Sequence, residues 1–379
     1  MYSSRVPLAF LMLTHEKRKL ALSLSGVALA VLIMFMEIGF FNGLNDSQAN
    51  LPPLLDADLV LMDEKKEHLN KSERMNRHRL QQALAFDEVV SATPLYDRSG
   101  PLRNPQSGQL KSIDILAFPP EQIPLRIDGI EQFADVLKKS NTILFDSRSR
   151  SIYGEIKEGM EVELSDRKYV VGGLVELGPN FSRDGYILMS DTTWKTHFMG
   201  DGRDEITFGL LKLNPGVDID SLKIRLAGVL GEEVLIMTPE ELRIREIRFT
   251  TKSTPSGAVF GIGLLMGFAI GVIICYQILF NEITDQLPQY ATLRAIGFDQ
   301  RYMVGIVMKK AFFLSLFGFL PGLLGGILLY AFIEHYTKIL MYLTIPRIGL
   351  VLFLTVFMCC VAGILAMKRA LSADPADLF

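Results

Sequence analysis

Five histidines and three cysteines are the first candidates for chemistry in this chain, and their spacing argues against it. His15, His68, His78, His197 and His335 show no metal-ligand spacing, and His68 and His78 flank a charged stretch and read as solvated. Cys275, Cys359 and Cys360 all lie in apolar runs, so the polar middle of the chain has neither a disulfide framework nor a cysteine metal site. There is no G-x-x-x-x-G-K-[ST], no H-E-x-x-H and no G-x-S-x-G elbow. The sequence therefore predicts a non-catalytic chain, with no catalytic, metal or cofactor residues of its own. Glu37 is the one charge inside an apolar run, and it reads as a packing or interfacial residue.

The residues that can act lie instead in "DQLPQYATLRAIGFDQRYM", 285–303. Pro288 suits the first turn of a helix, where its missing N–H is no loss. Tyr290, Ala291, Leu293, Arg294 and Ile296 continue it, and Gly297 can take the left-handed conformation that ends it. Asp299 then caps the helix that follows. A helix of two or three turns is too short to be stable alone, so this one is expected to dock on a partner.

Long apolar runs position that segment. Mean hydropathy is +0.27, and the formal net charge of -3 leaves no basic field for nucleic acid. Four runs, 20–44, 256–281, 311–333 and 349–367, reach the roughly 20 residues needed to cross a bilayer. The first is too long for a signal-peptide core and no A-x-A-like site follows it, so it reads as an uncleaved span. Arg5, Lys17, Arg18 and Lys19 precede it; Arg294, Arg301, Lys309 and Lys310 fall between the second and third; Lys368 and Arg369 follow the fourth. Positive-inside counting then puts both termini and the 282–310 loop in the cytoplasm and 45–255 outside. Residues 1–19 read as an interfacial elbow helix, with Val6, Phe10, Leu13 and Lys17 at helical spacing. Residues 334–348 form a short outer loop and 368–379 a cytoplasmic tail.

The outer region has the length for a core of its own, with two subdomains expected. It reads as mixed α/β: a helix at 73–85 capped by Ser72, strands at 88–96, 111–118 and 141–146, then "MEVEL", "RKYVVGGLVE" and "GYILMS". A strand–helix–strand unit follows at 206–242, its helix striped by Leu222, Leu226 and Val229. The Pro- and Gly-rich interruption around 98–130 is the expected subdomain crossing. "GIGLLMGFAIG" and "GFLPGLLGG" predict close helix packing or a dimer seam. The fold class is thus four transmembrane helices plus a large extracytoplasmic α/β domain.

"YATLRAIGFDQRYM" resembles the coupling-helix segment of MacB/FtsX-like permeases, the transmembrane subunits of type VII ABC systems. "VPLAFLMLTHEKRKLALSLSGVALA", "ICYQILFNEITDQLPQYATLRAIGF" and "LSADPADLF" together resemble the DevC-type permeases. The resemblance implies a permease homodimer in the bacterial inner membrane, bound to two copies of a separate ABC ATPase that holds the ATP and Mg. It also implies a periplasmic domain, a membrane-fusion adaptor, a TolC-like duct, and export of a glycolipid or other amphiphile by mechanotransmission. The tail residues Asp374, Pro375 and Asp377 would lie against the same ATPase. Two relatives stay open as alternatives: an FtsX-like regulator of a cell-wall hydrolase and a LolC/LolE-like lipoprotein-release subunit.

Overall fold

The computed structural model describes residues 17–180, 183–199, 204–253, 255–337, 341 and 343–372. The expected elbow at 1–19 falls almost wholly outside them, and the tail residues Asp374, Pro375 and Asp377 fall outside them altogether. Two compact units result: residues 1–42, 255–333 and 341–379 form one, and Gly43–Thr254 with Glu334–Leu340 form the other.

The first unit contains the long helices. These are α1 (Lys17–Gln48), α8 (Pro255–Asp285), α10 (Gln300–Thr337) and α11 (Ile345–Ser372). Within them, Arg18–Asp46, Gly257–Asp285, Arg301–Tyr336 and Ile345–Lys368 are long and apolar enough to cross a membrane. Glycines set how closely they approach. A Cβ added to Gly318 would sit 2.6 Å from Val27, and one on Gly322 2.6 Å from Val31, so α10 meets α1 backbone to side chain. Gly267 faces Ile33 of α1 in the same way, at 2.9 Å. Without water to drive apolar association, such close contact is what holds helices together in lipid. The glycine-rich texture therefore serves helix pairs within one chain. Glu37 lies against Gly263 of α8, where a side chain would displace its carboxylate, which makes it a packing residue. Tyr330 Oη donates to the Phe35 carbonyl at Gly39, an α10–α1 tie inside the apolar layer.

The second unit is built on a nine-stranded mixed sheet, ordered β11-β1-β10-β3-β4-β8-β5-β7-β6. Its strands are β1 (Leu59–Asp63), β3 (Val89–Arg103), β4 (Leu110–Phe118), β5 (Thr142–Asp146), β6 (Glu161–Leu164), β7 (Arg167–Val175), β8 (Tyr186–Ser190), β10 (Phe208–Leu213) and β11 (Val234–Met237). Short β2 (Met75–Asn76) and β9 (Glu205–Ile206) pair separately. Helices α2 (Leu51–Leu54), α3 (His78–Ala83), α4 (Ala134–Leu137), α5 (Asp191–Phe198), α6 (Ile219–Leu230) and α7 (Pro239–Ser253) complete it. Leu59 and Leu61 of β1 enter one hydrophobic core while Val60 and Met62 enter the other. The same alternation separates Ile115 and Ala117 from Leu116 and Phe118 in β4. Strands buried on both faces need uninterrupted apolar runs, which "LVLM" and "YILM" supply.

Three expectations need correction. The helix at 73–85 is reduced to His78–Ala83, because Met75 and Asn76 pair with β9 and the Asn76 side chain, not Ser72, accepts the His78 N–H at 2.8 Å. Strand pairing there outweighs helix propensity. The 98–130 stretch is no subdomain crossing: 98–103 and 110–118 pair as the β3–β4 hairpin, in register from Tyr96↔Ala117 to Arg103↔Leu110. The change of partner happens inside β3, which pairs β10 through Leu95 and β4 from Tyr96 onward. Finally, the buried stripe of α6 is Leu222, Leu226 and Leu230, and Val229 is half exposed.

Gly322→Leu should lower the thermal unfolding midpoint of the full-length protein in detergent, by overpacking worth about 1–3 kcal/mol. Gly305→Ala, where an added Cβ meets nothing within 4 Å, should hold or raise it, since glycine inside a helix costs about 0.5–1 kcal/mol relative to alanine. Equal midpoints for both variants would mean that α1 and α10 do not meet as described.

Candidate functional site

The polar segment between the second and third spans forms a short helix, α9 (Leu287–Ala295), with a break at each end. On the entry side, the Gln286 N–H is shared between the carbonyls of Glu282 and Ile283, both at 3.2 Å, which closes α8. Pro288 then sits at the second residue of α9 and its carbonyl accepts from Thr292 Oγ1 at 3.0 Å. On the exit side Ile296 N–H bonds the Thr292 carbonyl, and Gly297 takes φ +103°, where a side chain would be strained. Asp299 follows, immediately before α10, and its carbonyl accepts the Tyr302 N–H at 3.0 Å. Tyr290, Ala291, Leu293 and Arg294 all fall within the backbone of α9. The segment read from sequence as a 282–310 loop is therefore almost entirely helical, since α10 begins at Gln300.

The exit turn carries apolar surface. Ile296 is 70% exposed, and Phe298 and Tyr302 are partly exposed with rings stacked 4.6 Å apart. Pro288 and Gly297 are exposed as well. Exposed aromatic and aliphatic groups beside a polar helix suit contact with another surface.

The base of this segment depends on residues the sequence reading passed over. Lys310 counts there only as a topogenic charge; in the structure it is 1% exposed. Its ammonium is 3.0 Å from Glu282 Oε1 and donates to Gln286 Oε1. Glu282 and Gln286 are one helical turn apart, so one cation on α10 grips the exit of α8 just before α9 starts. Lys19 of α1 adds an exposed pair with Asp285 at 2.9 Å. The signal available in the sequence was a lysine embedded in "VGIVMKKAFFL", opposite an i, i+4 acid and amide.

Elsewhere in the membrane unit, α8 packs along α11. Cys275 Sγ and Cys359 Sγ are 3.5 Å apart, and the Phe268 and Phe357 rings stack at 5.9 Å. Among the described residues no group of three His, Cys, Asp or Glu side chains could hold a metal ion.

Residues 261–375 match the FtsX-like permease C-terminal family. An uncharacterized ABC transporter permease of Methanocaldococcus jannaschii is 24% identical over 199 residues, or 50% of this chain and 48% of that protein. The chain thus spans about half the length of the curated relative it matches. Among solved structures, the periplasmic region of MacB from Actinobacillus actinomycetemcomitans aligns at 14% identity and a TM-score of 0.36, covering 50% of this chain and 92% of that one. The extracellular domain of the noncanonic ABC-type transporter YknZ from Gram-positive bacteria aligns at 13% identity and 0.34, covering 48% and 98%.

Lys310→Met should destabilise the full-length protein by about 3 kcal/mol, because the Glu282 carboxylate loses its cation. Adding Glu282→Leu should restore much of that loss. A double-mutant cycle on thermal unfolding in detergent checks it, and additive effects would mean that the pair does not form.

Proposed function

From the match of residues 261–375 to the FtsX-like permease C-terminal family, we propose that the chain is the transmembrane subunit of an ABC-type, MacB/FtsX-like export complex and that α9 is its coupling helix. One observation carries this reading: a short helix is isolated by a break and a left-handed glycine, displays Ile296 and Phe298, and is held at its base by Lys310. Pro288 and Gly297 set its ends, while Tyr290, Ala291, Leu293, Arg294 and Ile296 supply the contact surface for a separate ATPase. Arg294 would pair with an acidic groove there.

The orientation in this reading puts both termini and α9 in the cytoplasm and the sheet unit in the periplasm of a bacterial inner membrane, by the positive-inside rule. ATP and Mg stay in the partner chain, present in two copies around a permease homodimer. When the ATPases close, they press on α9. The Lys310–Glu282 grip passes that displacement to α8 and α10 as whole helices. Helices without a line of buried charge are poor walls for a polar pore but adequate levers. Cargo then moves through an adaptor and a TolC-like duct, as in DevC-type export of glycolipids or other amphiphiles, without crossing between these helices. The tail residues Asp374, Pro375 and Asp377 would rest on the same ATPase.

Leu293→Asp should abolish recovery of the ATPase with the tagged permease from native membranes in mild detergent. Membrane insertion and the emission of Trp194, the single tryptophan, should stay unchanged. Full recovery of the ATPase with this variant would remove α9 from the docking surface. A hydrolase or a lipoprotein carrier in place of an adaptor among the recovered proteins would keep the lever and change the cargo.

A further inference from the structure

The seam between α8 and α11 carries two thiols that have no part in docking a partner. Cys275 of α8 and Cys359 of α11 are both fully buried, and their Sγ atoms stand 3.5 Å apart, in contact. Bonded sulfurs stand about 2.05 Å apart, so the pair is about 1.5 Å short of a disulfide. That gap falls within the roughly 1–2 Å shifts that packed helices make against each other.

Packing on both sides sets one sulfur against the other. One turn before Cys275, a Cβ added to Gly271 would sit 2.5 Å from Met358 Sδ. One turn after it, Leu279 lies 3.6 Å from where a Cβ on Gly363 would be. The Phe268–Phe357 stack extends the same seam. In lipid, close approach of this kind is what holds a helix pair together, so the two thiols meet at a depth fixed by their glycine neighbours. Cys360, next along α11, is turned about 100° away around the helix axis and is partly exposed, so Cys359 alone meets α8.

Burial decides which oxidant can act. With no exposed surface on either sulfur, a water-borne oxidant is shut out. One that dissolves in the apolar layer meets the pair whenever α8 and α11 part locally.

We propose that Cys275 and Cys359 form a redox site, joined as a disulfide by a lipid-soluble two-electron oxidant of the quinone class, and that this bond locks α8 to α11. Both S–H bonds break and one S–S bond forms. The two electrons and two protons released convert one quinone to its hydroquinone, which balances the step. The bond closes the opening through which the oxidant entered. Since α8 runs to the break before α9, the lock also ties the support of that short helix to α11. The assignment rests on the packing of α8 and α11 alone, and it stands whether or not α9 meets an ATPase.

The test uses the full-length protein in liposomes, fully reduced and then treated with duroquinone, whose ring positions are all occupied so that thiols do not add to it. Free thiols counted after denaturation should fall from 3 to about 1. Digestion without reductant should yield one cross-linked peptide pair, Cys275 with Cys359. Ferricyanide, which stays in water, should leave the thiols free. Cys360→Ser should form the same link at the same rate, whereas Cys275→Ser should give none. Oxidation should raise the thermal unfolding midpoint, and dithiothreitol should return it. An undiminished thiol count after duroquinone, a link through Cys360 or between two chains, linkage by ferricyanide at the same rate, or an unchanged unfolding midpoint in the linked protein would overturn the assignment.

Discussion

Helices in lipid gain nothing from burying apolar surface against one another, and the membrane unit is shaped by that fact. Contact must come from fit. Gly318 and Gly322 let α10 close on Val27 and Val31, and Gly267 lets α8 close on Ile33. Both therefore use α1 as the post against which they are set. A Cβ added to Gly363 of α11 would sit 3.4 Å from Ala311 of α10 and 3.6 Å from Leu279 of α8, so the fourth helix completes the same packing. Polar groups obey the matching rule. The Tyr330 hydroxyl and the Lys310 ammonium are tolerated because each is delivered to an acceptor on a neighbouring helix.

The short helix α9 follows from these fixed points. It has no long apolar stripe to bury and only nine residues, too few for independent stability. Its definition comes from its ends: a shared N–H at Gln286, a left-handed Gly297, and a buried cation just behind. Force applied to such a helix has little slack to take up before it reaches α8 and α10. That is a physical reason to regard it as a point of input, whatever surface presses on it.

Much of this was readable from residue types. Apolar runs of about twenty residues read as spanning helices, and the runs around Ile113, Ile143 and Tyr186 read as strands from their β-branched and aromatic residues, whereas β1 at Leu59–Asp63 went unread. The punctuation of α9 by Pro288 and Gly297 was legible for the same reason, since these two residues restrict the backbone directly. What was not legible depends on partners distant in sequence. Met75 and Asn76 are strand because Glu205 and Ile206 lie beside them, 130 positions away. Val229 and Leu230 exchange roles on α6 through a small rotation of the helix, which composition does not fix. Lys310 reads as an orientation signal until Glu282 is seen across from it.

The fifteen-residue strand β3 has a mechanical consequence. Its residues 89–95 ladder with β10 and its residues 96–103 with β4, so the two ladders meet end to end at Leu95–Tyr96 and share no stretch of β3. One covalent strand makes the connection. Because both faces are buried, a slip of one residue within either ladder would turn every side chain to the wrong core, which keeps each ladder in register. A bend or twist where β3 passes from one ladder to the other strips neither of them. The sheet is therefore stiff on each side of that junction, and the junction is where it flexes at least cost.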